Sequence, residues 1–341
     1  MIYLVVYILS FFLVVFLLAA IIYLCNAYKI YDRNDSLKKN PKKISRLGGV
    51  ALFMTFLSVN YIFNADPSFT ATFYIAFLML FLLGLGDDLH NIKPYVKFFV
   101  QLIVAVLLVA FCQVNSQPEL VQSMFWYPTF DTNLGIFVLV LSINAFNLID
   151  GSDGLAAMLG LTINLFLTAL LFRSGDVSNT LIGMSISGIL SGFLFLNSSP
   201  AKVYMGDSGS TFIGLILGIL ALRVLNLSRD THSFPDNVPV LLLALFIVLL
   251  YDTFRVIFIR LRLGKSPFKG DQNHIHHRLK RYGLSDDQIA GLLTGFTFLM
   301  VTAVILLQQM GNLFLCLFLL VACIVFNQTI DYLLRSSFKK T

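Results

Sequence analysis

Charge is scarce in this chain: Asp, Glu, Lys and Arg together make up 12% of the 341 residues, about half the ~25% usual for a soluble globular domain. With 57% hydrophobic residues and a mean hydropathy of +0.83, that shortage excludes an ordinary soluble fold. Cysteine is nearly missing as well. Cys25, Cys112, Cys316 and Cys323 lie in or beside apolar runs without metal-ligand spacing, so they read as helix-packing residues and imply no disulfide framework. The apolar N-terminus, Ile2 to Leu24, lacks a basic leader and a small-residue cleavage site, and reads as a retained first span. No separate soluble region, low-complexity tract or internal repeat is visible.

What is present is a series of eleven apolar runs, with cores at 2–24, 47–64, 69–86, 95–113, 133–148, 155–172, 179–196, 209–226, 237–259, 288–308 and 312–333. At about 20 residues per span, these predict an all-α integral membrane protein of about eleven transmembrane helices, one polytopic domain over 1–341. An outside N-terminus and a cytoplasmic C-terminus put 21 of the 24 Lys and Arg on internal segments and their flanks, as the positive-inside rule requires. The net charge of +6 is therefore mainly a topology signal, with attraction of anionic lipid or substrate second. A nucleic-acid role is excluded because the basic loop near the C-terminal end is tethered at a membrane and contains no recognised module.

Every polar cluster falls on the same predicted cytoplasmic side, in loops at about 26–46, 87–94, 149–154, 197–208 and 260–287. A pore or transporter needs polar groups through the depth of the bilayer or broken helices near its midplane. Gathering them at one face suits an enzyme acting on a lipid headgroup.

The central stretch, Asn144 to Leu155, reads NAFNLIDGSDGL. Asn144 and Asn147, then Asp150 and Asp153, are three residues apart, so on a helical turn each pair shares a face. Gly151 and Gly154 permit a turn and close approach to a ligand. The adjacent Asp87 and Asp88 would project about 100° apart on a helix and take different tasks, while Lys97 and Gln101, one turn apart, face the same interface. Gly48 and Gly49 permit close helix packing or close approach to a ligand. The GDSG at 206–209 resembles a serine-protease motif around Ser208, but that chemistry needs a soluble β-barrel with a separate His and Asp. It reads better as a Gly-bracketed Asp207 before a helix, capped by Ser208 and Ser210, with the helix amides facing an anion. Mg²⁺ uses one or two carboxylates plus substrate phosphates, which makes Asp207 a candidate ligand. Tyr204 is either a base-stacking residue or an interfacial aromatic. His274, His276, His277 and Arg278 form a cationic group suited to phosphate, without the HExxH zinc pattern. Asp252 and Arg255 are spaced to pair structurally. Together these groups can hold a diphosphate through Mg²⁺ and promote displacement at phosphorus.

Four clusters in this order, DD with a following K and Q, NAxNxxDGxDGL, NxxPAKVxMGDxGS and HIHH, resemble the polyprenyl-phosphate N-acetylhexosamine-1-phosphate transferase family of the WecA and TagO types, related to MraY. The resemblance covers nearly the whole chain. It implies transfer of a sugar 1-phosphate from a UDP-sugar donor, GlcNAc first among them, to undecaprenyl phosphate with release of UMP. It also implies Mg²⁺ (with Mn²⁺ as a substitute), a multi-pass place in the bacterial cytoplasmic (inner) membrane, and a start to cell-surface glycan synthesis such as O-antigen or cell-wall polysaccharide; a homodimer is left open. By position, Asp207 and Asn147 would hold the metal, and Asp87 and Asp88 would lie at the reaction centre. Lys97 would contact the phosphates, and Asp150 joins the catalytic set without a defined role. Asp153 would read the uracil, Asn197 would help hold the nucleoside, Tyr204 would stack on the base, and Asn144 joins the substrate-binding set. His274, His276, His277 and Arg278 would bind diphosphate or sugar. Many relatives carry D-x-P-x-x-R-K-x-H in the first loop, whereas this chain has Asp32, Asn34, Leu37, Lys38 and Asn40 at those positions, so that loop receives no catalytic role. Another UDP-N-acetylhexosamine donor, a lipid carrier and a non-catalytic scaffold are the competing readings.

Overall fold

The structure, a computed structural model, describes residues 1–31, 44–63, 71–114, 130–230, 234–235, 237–266 and 273–338. The first-loop positions Asp32, Asn34, Leu37, Lys38 and Asn40 lie outside these residues. Backbone groups in hydrocarbon must find partners within the chain, which selects helices. Among the described residues all regular structure is helical, apart from one isolated parallel bridge between Ser45 and Val203.

The helices are α1 (Ile2–Tyr28), α2 (Gly48–Phe63), α3 (Ala71–His90), α4 (Pro94–Val114), α5 (Phe130–Ile149), α6 (Leu155–Arg173) and α7 (Val177–Asn197). Then follow α8 (Gly206–Asp230), α9 (Val238–Leu245), α10 (Ile247–Arg262), α11 (Ile275–Tyr282), α12 (Asp286–Leu306) and α13 (Asn312–Phe338). Among the described residues, eight are long and apolar enough to cross a membrane, or nine spans result if α9 and α10 count as one, and α2 and the apolar part of α4 are shorter. The protein is a multi-pass membrane protein. Each of the eleven apolar runs falls on one of these helices or on the α9–α10 pair. The run at 237–259, expected to be continuous, bends by 70° at Phe246. Beyond the bend, α10 carries Asp252, Arg255, Arg260 and Arg262.

The most enclosed helix is α8, which packs against α2, α3, α5, α6 and α9. Small residues admit its neighbours. A side chain at Gly214 or Gly218 would strike α5 at Ile143 or Ser142, and Ser142 Oγ donates to the Gly214 carbonyl at 2.7 Å. On the opposite flank, a Cβ at Gly49 would lie 2.2 Å from the Gly209 nitrogen, and one at Gly84 2.4 Å from Ser208 Cα. This matches the close packing expected of Gly48 and Gly49. Phe212 of α8 meets Phe53, Phe56 and Phe77 edge-on at 5.1–5.8 Å between ring centroids, filling the space between α2 and α3. Large apolar side chains exposed on α1 and α13, including Phe12, Phe16, Leu313 and Leu317, form the surface for lipid.

The tight α3–α8 contact gives a direct test. Gly84→Ala places a methyl against backbone that cannot yield, and should cost about 1–3 kcal/mol, read as a lowered Tm in detergent. Gly291→Ala on α12, where nothing lies within 4 Å, should leave Tm unchanged or slightly higher.

Candidate active site

The N-terminus of α8 is where the polar clusters converge. Gly206 precedes Asp207 with φ +72, and a Cβ there would meet the Arg46 carbonyl at 2.2 Å and Asp88 Oδ2 at 2.6 Å, so only glycine fits. Asp88 reaches across from α3. Its Oδ1 accepts from the Asp207 amide at 2.8 Å, and its Oδ2 accepts from the Ser208 amide at 3.0 Å and Ser208 Oγ at 2.7 Å. The anion at this helix start is thus a carboxylate of the protein. The amides face an anion as expected, one supplied by the protein itself; the expected capping by Ser208 and Ser210 is corrected. Ser208 donates to Asp88, while Ser210 Oγ accepts from Asn147 Nδ2 at 2.8 Å.

Adjacent Asp87 turns elsewhere, as the 100° spacing predicts. Its Oδ1 accepts from the Ile92 amide at 2.6 Å and its Oδ2 from Lys97 Nζ at 2.7 Å. The same ammonium donates to Asp207 Oδ2 at 2.6 Å. One lysine on α4 therefore bridges carboxylates from α3 and α8, and Asn147 adds a hydrogen bond to Asp207. Among the described residues no three His, Cys, Asp or Glu side chains converge on a metal position. A cation-bridged pair of carboxylates with an amide beside it nonetheless fits a hard divalent ion that draws its other oxygen ligands from substrate and water.

The central motif divides at the end of α5. Asn144 and Asn147 share a helical face as expected, and Asn144 Nδ2 donates to Gln101 Oε1 at 2.7 Å. Asp150 and Asp153 follow the helix in a turn and do not share a face. Asp150 stands in the field of Asp207 and Asp88, with Arg46 opposing them. Burial first, then those two carboxylates, push its carboxyl up to about 7. Asp153 accepts from the Ala201 amide at 3.0 Å. Asn197 accepts from the Gly154 amide at 2.9 Å and donates to the Val203 carbonyl at 2.8 Å. Both are buried and bind the 197–204 segment to the motif. Tyr204 is half-buried, and its amide donates to the Ser45 carbonyl at 2.8 Å.

A cleft of about 690 Å³ opens from Lys97 between α4, α5, α10 and α11. Its polar end holds Lys97, Gln101, Asn144, Asn147, Arg260, His274, His276 and His277; its apolar walls include Phe98, Phe137, Leu141, Phe254 and Ile257. Asp252 orients the histidine helix. It accepts from the Ile275 amide at 2.9 Å, lies 2.8 Å from His274 Nδ1, and pairs with Arg255 at 3.0 Å. The Asp252–Arg255 pair was expected; its grip on α11 was not. His276 presses on Gly151, where a Cβ would lie 2.4 Å from Nε2. Both its ring nitrogens are buried without a partner. Burial, then neighbouring His277, lowers its pKa to about 3, so the ring is neutral at physiological pH. An unpaired buried imidazole costs about 1–3 kcal/mol, a cost that a ligand in the cleft would relieve. His277 is lowered too, by burial and then by His274.

Arg278, expected on the diphosphate, faces away from this cleft: it donates to Asn327 Oδ1 at 2.5 Å and contacts Asp331 of α13. Two arginines escaped the sequence reading. Arg260 is buried in the cleft wall, and Arg46 offsets the charges around Asp150. Arg46 was one among seven basic first-loop residues and their flanks. Arg260 sat in a run of alternating basic and apolar residues, and only the packing of α10 beside α5 shows that it lines the cleft.

Paired carboxylates around an ammonium, beside buried imidazoles and above an apolar slot, equip a membrane protein to handle phosphate groups. Residues 70–225 match the family model described as glycosyl transferase family 4. The chain is 34% identical over 314 residues to a probable undecaprenyl-phosphate N-acetylglucosaminyl 1-phosphate transferase of Bacillus subtilis (strain 168), covering 88% of this chain and 83% of that protein. It is 30% identical over 278 residues to the undecaprenyl-phosphate alpha-N-acetylglucosaminyl 1-phosphate transferase of Yersinia pestis, covering 78% and 73%. A decaprenyl-phosphate N-acetylglucosaminephosphotransferase of Mycolicibacterium smegmatis is 32% identical over 282 residues, covering 75% and 69%. The chain belongs to this family of polyprenyl-phosphate sugar-1-phosphate transferases and is an enzyme of the transferase class.

The raised Asp150 pKa has a stability consequence. Between pH 3.8, the ordinary value, and about 7, the folded protein keeps a proton that the unfolded chain has released, so stability falls as pH rises through that window. Above about 7 the full cost of the buried charge is present. Asp150→Asn should therefore raise Tm in metal-free buffer at pH 8, with the gain vanishing near pH 4. A gain independent of pH would contradict this.

Proposed function

We propose that the enzyme transfers GlcNAc 1-phosphate from UDP-GlcNAc to undecaprenyl phosphate, forming the lipid diphosphate sugar and UMP. The reaction would open synthesis of a cell-surface glycan at the cytoplasmic face of the bacterial inner membrane. The observation that carries this reading is the cleft's change of character. It begins at an ammonium shared by two carboxylates and at unpaired imidazole nitrogens, and continues between exposed Phe98, Phe137 and Phe254. A diphosphate suits the first part and a prenyl chain the second. The relatives' names supply the polyprenyl phosphate and the GlcNAc 1-phosphate. The charge distribution supports eleven spans with the N-terminus outside and the site facing the cytoplasm.

In this reaction an acceptor phosphate oxygen bonds to the β-phosphorus of the UDP-sugar, and the bond from that phosphorus to the bridging oxygen breaks, leaving UMP. The second pKa of a phosphate monoester is about 6, so the acceptor is largely dianionic at neutral pH and needs little help from a base. Asp87 suits that situation: held by the Ile92 amide and Lys97, it positions the ammonium. Asp207, with Asp87 and Asn147, would hold Mg²⁺, which neutralises diphosphate charge when bound. Lys97 and Arg260 add fixed positive charge. His276 and His277 offer neutral nitrogens to the diphosphate or sugar. Asp153 and Asn197 hold the 197–204 segment and would act on the nucleoside through it, with Tyr204 of that segment stacking on the base.

UMP release by the purified protein, with undecaprenyl phosphate, Mg²⁺ and a panel of UDP-sugars, tests the proposal. Release should depend on lipid and metal, be fastest with UDP-GlcNAc, and disappear in Asp207→Ala. Preference for another UDP-N-acetylhexosamine would revise the donor alone; no release from any donor by folded protein would favour a carrier or scaffold. Among variants, Lys97→Gln should lower kcat by about 10²–10³-fold, whereas Asp87→Asn should retain measurable turnover at raised pH.

A further inference from the structure

The histidine helix has a second working face. At 100° per residue, Arg278 and Arg281 lie on the side of α11 opposite His276. They border a separate cavity of about 460 Å³, closed by Arg255 of α10 and by Asn327 and Asp331 of α13. Three guanidiniums meet a single carboxylate there. Two of them are fixed in place by the protein. Arg278, with 6% of its side chain exposed, is held by Asn327 and Asp331. Arg255 is held by Asp252 and the Asn273 carbonyl, which leaves its Nε buried without a partner. Burial, then the nearby Arg255 charge, holds Arg278 below the usual arginine value, a crowding that an anion would relieve.

We propose that this cavity is a second anion site, separate from the transfer cleft, that binds a phosphate group. Planar guanidiniums with fixed orientation match phosphate oxygens through paired, charge-assisted hydrogen bonds. The phosphate comes either from the headgroup of an anionic phospholipid, because exposed apolar residues of α13 such as Ile324 and Val325 adjoin this end, or from a soluble phosphate compound. Asp252 joins Arg255 on this side to His274 and the Ile275 amide on the other. An anion in the cavity therefore steadies the helix that presents the histidines to the cleft.

The test is thermal unfolding of the full-length protein in phosphatidylcholine nanodiscs. Conditions are no addition, phosphatidylglycerol mixed into the bilayer, or inorganic phosphate in the buffer, each at one ionic strength set with chloride. Wild type should be stabilised by phosphatidylglycerol, by phosphate or by both, and the responding arm names the source. Arg281→Gln, at an exposed position, should weaken the response about tenfold in concentration while keeping the unliganded Tm. Arg255→Gln should abolish the response, and if it unfolds, Arg281→Gln still decides. No stabilisation beyond chloride, or an equal response in Arg281→Gln, overturns the proposal. Displacement of bound phosphate by UMP also overturns it, because the cavity would then belong to the donor site. The readout needs no turnover, so it stands or falls apart from the transferase assay.

Discussion

At the polar end of the molecule, the carboxylate of Asp88 holds the first amides of α8. A helix start enclosed by other helices leaves N–H groups that water cannot reach, and α3 supplies the acceptor. Two backbone amides and one hydroxyl converge on this carboxylate, locking α8 in register with α3. Asp207 is the residue that follows Gly206 in that turn, so its position is set by its neighbour's anchor. Gly84, Gly49 and Gly206 let the backbones come close enough for these bonds to form.

Once α3 and α8 are joined, Asp87 and Asp207 are forced together, and two carboxylates cannot share a low-dielectric space without a cation. Lys97 satisfies that need with one ammonium, at the cost of binding its own charge to both. The pair still has one negative charge in excess of the lysine, and Asp150 adds a group poised near neutrality. Under the proposed reaction, a divalent cation and a negatively charged diphosphate would together balance that charge. The cleft that opens from Lys97 is also lined by apolar Phe98, Phe137, Leu141, Phe254 and Ile257, and under the proposed reaction this apolar wall would take the acceptor's hydrocarbon.

Beyond the bend, α10 gives this arrangement its far wall. It carries Arg260 in the cleft wall and places Asp252 under the start of α11, where one carboxylate orients His274, Ile275 and Arg255 together. His276 of α11 lines the cleft while Arg278 and Arg281 border the arginine cavity, so one short helix forms part of both walls.

Much of this was legible in the amino-acid order. Hydrophobic runs are set by the need to match a bilayer, so their positions could be read directly, and adjacent Asp87 and Asp88 had to point apart on any helix. The likeness of the motifs points to the family without any geometry. Other roles depend on contacts between distant segments. Nothing local in GDSG says that the anion at the α8 amides comes from Asp88, 119 residues earlier than Asp207. Nothing local in HIHHR says that Arg278 turns toward Asp331. Asn197 and Asp153 carry polar groups suited to a nucleoside, yet folding directs them to backbone amides and a carbonyl. The sequence by itself determined which segments enter the membrane and which polar residues gather beside it, since both follow from solvation. Only the tertiary structure decided which of those residues satisfy one another and which face the cleft, because buried polar groups take partners from whatever helix packing brings within hydrogen-bond reach.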